Sequence, residues 1–206
     1  MKMKLIFPKL SQLRSQLFVP FLAGMILAPA LAQCQSLSSD GQKTTAIMLK
    51  IHQLGLLQRI LPLNLNEKEL DAILDSIDTT REAVRKTERN EYRVLKVHEP
   101  AVEAAIANGL SKDEVPDDKL TMAIQKDFAL LQVTRQIVAA GNIEAVYKVV
   151  QKVCDSGQKN LMANGSSLPA TASKGQKIRD FISSFLMDPS AYVLLTKLDV
   201  KLHQGS

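Results

Sequence analysis

Along most of this chain, apolar positions recur at three- and four-residue intervals, the spacing of one face of an α-helix. Ile47, Ile51, Leu54, Leu57 and Leu61 mark a first face, which Pro62 closes or kinks. Leu70, Ile73, Ile77, Val84 and Leu95 mark a second, over about Glu67 to Glu99, with Thr80 and Thr87 or Glu88 at weaker positions. At the helical rise this element runs to roughly 50 Å, so the pattern predicts an elongated molecule or one assembled with a partner. Pro100 interrupts or restarts it, and a short segment over 101–108 is expected to end at Gly109. A helix from about Asp117 to Ala140 should bury Leu120, Ile124, Phe128, Leu131 and Val138. Gly141 is expected to stop it and Asn142 to cap the next helix, with a face of Ile143, Val146, Val150, Val153 and Cys154. Two short helices close the chain. One carries Ile178, Phe181, Ile182, Phe185 and Leu186; the other opens at Asp188-Pro189 and carries Tyr192, Leu195 and Leu198. No alternating run flanked by hairpin turns occurs. The predicted fold class is all-α, an elongated bundle of long antiparallel helical hairpins.

One stretch has a different pattern. Lys2, Lys4, Lys9 and Arg14 lead into an apolar run from Leu17 to Leu27, and Ala30-Leu31-Ala32 follows with the small-x-small pattern of a signal-peptidase site. The run is short for a membrane span of about 20 residues. The expected organisation is a cleaved signal over 1–32, a polar tail over 33–42, a helical core over 43–163, a flexible linker over 164–175, and C-terminal helices over 176–206 packed on the core. The expected location is periplasmic or secreted, with no membrane span after cleavage. Cleavage also changes the charge: 26 Lys+Arg against 21 Asp+Glu become 22 against 21, a formal net charge of +1. The basic balance of the whole chain is therefore no argument for a nucleic-acid partner. Cys34 and Cys154 form a candidate disulfide in an oxidising compartment. Two other fates for Cys34 stay open, a free thiol and a lipid anchor. Leu31-Ala32-Gln33-Cys34 resembles a bacterial lipobox, although Gln33 stands where that pattern has Gly, Ala or Ser.

At the head of the long helix, Asn66 and Glu69 have the spacing of a capping box, and Leu65 precedes them as a staple onto Leu70. A similar string recurs as Leu110-Ser111-Lys112-Asp113-Glu114. The two copies resemble the Leu-Thr-x-x-Gln motif of the LTxxQ family of small periplasmic stress proteins, which includes the Spy-type chaperones and CpxP-type envelope-stress regulators. Asn66 and Ser111 stand in place of the family's Thr, and Glu69 and Glu114 in place of its Gln. The resemblance covers about two-thirds of the mature chain. It implies an exported, all-helical protein, a cradle-shaped homodimer of hairpins, and binding of unfolded chains or a sensor partner.

The long helix is also polarised in charge. Five acids lie between Glu67 and Asp78, and six cations between Arg81 and Lys96, an order that complements the helix dipole. Arg85, Arg89 and Arg93 repeat every four residues as a candidate client-binding stripe. Catalytic signals are thin. His52, His98 and His203 are far apart, His98-Glu99 completes no recognisable metal spacing, and no phosphate loop or nucleophile motif occurs. The expected protein is a non-catalytic helical binding protein without cofactor or metal, a periplasmic stress chaperone or envelope-stress sensor. A structural or adaptor module of the envelope is the alternative. An enzyme using Glu99 or Glu103 in a helical cleft is the third reading.

Overall fold

A computed structural model describes residues 38–204, and within them the fold is all-α. The α-helices are α1 (Ser39–Ile60), α2 (Glu67–Lys96), α3 (Glu99–Lys112), α4 (Asp118–Val153), α5 (Ser156–Asn164), α6 (Lys174–Phe181) and α7 (Pro189–Gln204). A 3-10 turn, Leu61–Leu63, follows α1, and a π-helical turn, Ile182–Leu186, extends α6. The chain divides within α1 into a unit ending at Leu49 and a second from Lys50 onward. Only residues 38–49 of the first unit are described; the second holds the hydrophobic core. Among the described residues no helix is long and apolar enough to cross a membrane. The segment read as an export signal and Cys34 lie outside the described residues.

α2 and α4 run antiparallel along each other. Glu69 meets Gln158 just past the end of α4, Thr80 meets Asn142, Glu91 meets Arg135, and His98 meets Asp127. α7 returns antiparallel on another side of α2, where Asp78 meets Tyr192 and Glu67 meets His203. The core is confined to one end of this arrangement. Leu70, Ile73, Leu74 and Ile77 of α2 share it with Val146 and Val150 of α4, Phe181 and Ile182 at the end of α6, and Leu194 and Leu195 of α7. Leu56 and Ile60 close it from the last turns of α1. The face predicted for α1 is therefore corrected: Ile47, Ile51, Leu54 and Leu61 are exposed. Leu56 and Ile60, four residues apart, share the face that reaches the core, and Leu63 in the turn formed at Pro62 completes the set.

Asn66 caps α2. Its side chain accepts from the Glu69 amide at 3.1 Å, and the Glu69 carboxylate accepts from the Asn66 amide at 2.9 Å. The same carboxylate accepts from Gln158 Nε2 at 2.8 Å, and Gln158 belongs to a second reciprocal box with Asp155 at the head of α5. Two helix starts are thus tied through one acid. Asn66→Ala is expected to cost about 0.5–2 kcal/mol, seen as a lower denaturant midpoint at unchanged slope. An unchanged midpoint would show that the cap adds nothing.

The second copy of the motif caps nothing. α3 continues through Gly109 to Lys112, Ser111 Oγ donates to Ala107 O within its last turn, and Leu110 is exposed. Asp113 then ends the helix in the left-handed region at φ 57°, and residues 113–117 are non-helical as far as the N-cap Asp117. Pro116 explains the displacement. A helix begun after Ser111 would place it in the interior, where it has no amide to give and its ring clashes with the preceding turn. Helix α4 likewise runs unbroken through Gly141. A mid-helix glycine costs about 1 kcal/mol, less than the burial of Val146 and Val150 returns. Asn142 is consequently no cap but a buried side chain, donating through Nδ2 to Thr80 O at 3.3 Å.

The polar segment between α5 and α6 has specific anchors. Asp180 Oδ2 accepts from Ser166 Oγ, Ser167 N and Ser167 Oγ, and Ser173 caps α6 in a box with Gln176. Asp188 takes the capping position before Pro189, accepting from the Ser190 amide at 2.7 Å.

Candidate functional site

Beyond the core, the outer halves of α2 and α4 continue as an arm to which α3 is attached. Here few side chains are buried. Leu131 is one, and Glu91 is the other, at 5 % exposure. Leu120, Ile124 and Val138 are only half-buried, as are Val94 and Leu95 opposite them in sequence order. Phe128, expected inside, is exposed, and so is Val84. The physical reason is thickness: α7 and the α6 region cover the core end, whereas α2 and α4 bury only the narrow seam between themselves.

Glu91 holds that seam. Its two carboxylate oxygens accept from Arg135 Nε and Nη2, each at 2.5 Å, a fork-to-fork geometry. Arg135 keeps half its side chain in solvent, and this bond holds its guanidinium still more firmly in the charged form. At the far tip His98 Nε2 lies 2.7 Å from Asp127 Oδ2, linking the α2–α3 corner to α4. α3 itself buries no residue.

What the arm exposes is apolar to an unusual degree. Tyr92, Val97, Ile106, Leu110, Val115, Met122, Leu130, Val133 and Ile137 are all more than half exposed. The candidate arginine stripe runs along the same length of α2. Arg85, Arg89 and Arg93, with Glu88 and Tyr92, line a shallow open depression. Glu82 takes up two of them, at 2.6 Å from Arg89 and 3.5 Å from Arg85, and the Arg89 hydrogen bond is the main cause of its lowered pKa. Arg93 makes no ion pair among the described residues. Lys96 lies 5.4 Å from the Tyr92 ring centre, within cation–π range.

Of the other expected site residues, Leu65 and Cys154 lie at the core end, and Glu99, Glu103 and Glu114 lie at the arm. Leu65 is half-buried beside the cap, packed against the core. Glu114 sits exposed in the non-helical stretch before α4. Cys154 is buried at the end of α4 and forms no disulfide among the described residues; as a thiol its pKa is pushed up to about 11, first by burial and then by the Glu69 charge. It is thus a poor nucleophile. Glu99 and Glu103 are exposed on α3, and neither belongs to a cluster of three or more metal-ligating side chains among the described residues. The Glu91–Arg135 pair, missed in the sequence, did leave a signal there. Each is a charged residue set into a helical row of otherwise buried or half-buried positions. His203, remote from other ligands in sequence, is brought to Glu67 and Asp71.

No family model, curated protein or solved structure matches this chain.

Proposed function

We propose that this chain is an exported, non-catalytic helical binding protein of the periplasmic stress-chaperone or envelope-stress-sensor type, with the arm as its binding surface. The observation that carries the reading is the row of exposed apolar side chains on α2, α3 and α4, bordered by arginines and kept together by one half-buried ion pair. An aggregating client offers apolar segments, and water-exposed apolar surface on the arm gains free energy by covering them, about 25 cal/mol per Å². The arginines act at longer range, drawing acidic or amphipathic segments in before apolar contact forms. The Leu65-Asn66-Glu69 cap supports the LTxxQ-like reading only as far as one copy of the motif carries it.

A second reading, an adaptor of the cell envelope, draws on α3. A helix that buries none of its own side chains suits one that docks permanently on a partner. Client protection followed by light scattering separates the two. Reversing Arg89 and Arg93 to Glu is expected to weaken protection and flatten its salt dependence while leaving the helical circular-dichroism signal intact. Protection unchanged across salt would remove the arginines from the mechanism. No protection of several clients by the wild-type chain would leave the adaptor reading ahead.

A further inference from the structure

Where α7 ends against the start of α2, Glu67, Asp71 and His203 present one carboxylate oxygen each and one imidazole nitrogen within 4.8 Å of one another. Glu67 and Asp71 are four residues apart and so share one face of the first turns of α2. The ring of His203 is oriented from behind: Nδ1 lies 3.0 Å from Asp199 O, to which it donates. That bond leaves Nε2 as the outward nitrogen, 3.0 Å from Glu67 Oε1. A carbonyl on the far nitrogen is the arrangement that fixes a metal-binding imidazole. Beside the cluster, Asp199 Oδ1 is withdrawn from solvent, accepts no hydrogen bond, and lies 3.4 Å from the same His203 Nδ1. No lysine or arginine among the described residues pairs with Glu67, Asp71 or Asp199.

From this geometry we infer that Glu67, Asp71 and His203 form a binding site for a divalent transition cation of the zinc type. Donors bound at about 2.0–2.2 Å to one tetrahedral zinc lie roughly 3.3–3.6 Å apart, so the present separations close around an ion with side-chain rotations alone. One imidazole with two carboxylates suits a borderline cation. An all-oxygen set would suit calcium or magnesium, and a thiolate or thioether set copper(I). The electrostatics agree. The N-terminus of α2 opposes a cation with about half a unit charge, the C-terminal end of α7 favours it by as much, and the carboxylates decide the sign. Asp199, with its unsatisfied oxygen, adds a third negative group that ligates nothing and still attracts the ion. Because the ligands come from two helices, an ion held there fastens the end of α7 to the start of α2, a structural consequence separate from client binding on the arm.

The test is a titration of the full mature chain with zinc ion alone, read by calorimetry and by melting temperature. One saturable site is expected, with a rise in melting temperature that grows with zinc concentration. Calcium and magnesium at the same concentration should give no rise. His203→Ala, at an exposed position, and Asp71→Asn, isosteric at a half-buried one, are compatible with folding and should each weaken zinc binding by at least about tenfold. Absence of a saturable site overturns the inference. So does a His203→Ala chain that titrates like wild type, since the zinc would then lie elsewhere, or equal binding of magnesium.

Discussion

Phe181→Ala is expected to cost about 3–5 kcal/mol, the range for removing a ring from a closed core. In a chain of this size that lowers the melting temperature by roughly 6–20 °C. The ring is 1 % exposed and packs tilted against Phe185, with centroids 4.9 Å apart. Its other side is closed by backbone. A β-carbon built on Gly165 would stand 2.9 Å from Phe181 Cε2, closer than real contacts allow, so this glycine is a requirement of the packing. Neither neighbour refills the space cheaply. Phe185 is held in the π-helical turn, and the Gly165 backbone is held at the end of α5, where its amide donates to Leu161 O. Chemical denaturation of the variant beside wild type measures the loss. A cost below about 1 kcal/mol would mean that the core end relaxes far more freely than its packing indicates.

How much of this fold the sequence disclosed follows from what each signal measures. Periodicity reports which positions face inward on a helix, and it found Leu70, Ile73, Ile77, Val146 and Val150 correctly because those positions are covered on all sides. It misplaced Val84 and Phe128, whose spacing is equally regular, because spacing does not reveal whether a second layer covers the helix. Breaker residues misled in a different way. Gly109 and Gly141 both lie inside helices, since a mid-helix glycine costs only about 1 kcal/mol; for α4 the seam with α2 and the core beyond it offset that cost. Pro116 is a firmer signal than either glycine, since a missing amide and a ring clash are not negotiable within a helix. The boxes Asp155 with Gln158 and Ser173 with Gln176 were legible by the same rule that located Asn66 with Glu69. Each heads a short helix, α5 or α6, that carries no long apolar row. The convergence of His203 on Glu67 and Asp71 was not legible at all, because residues 136 positions apart meet only through the packing of α7 on α2.

The arm gives the most informative comparison, because its two ion-pair partners differ in burial. Arg135→Leu is expected to destabilise by about 2–3 kcal/mol, and Glu91→Leu by less than about 1 kcal/mol. Removing Arg135 strands the Glu91 carboxylate, 6 % exposed, in the α2–α4 seam with two oxygens and no donor. Removing Glu91 leaves Arg135, 48 % exposed, free to turn its guanidinium into water while leucine occupies the vacated buried position. The exposure of Arg135 is also why its loss should fall short of the 3–5 kcal/mol, roughly, of a fully buried pair. Changing both residues to leucine should recover most of the Arg135→Leu loss, because the stranded charge is gone. The effect should be local as well. Amide exchange in Arg135→Leu should quicken along the outer turns of α2 and α4, while amides near Val146 and Val150 keep their protection. If the arm is the binding surface, client protection should fall in this variant although the core end stays folded. Equal destabilisation by the two single changes would show that the pair acts by mutual attraction alone. Loss of protection from exchange throughout the molecule would show that seam and core unfold as one unit.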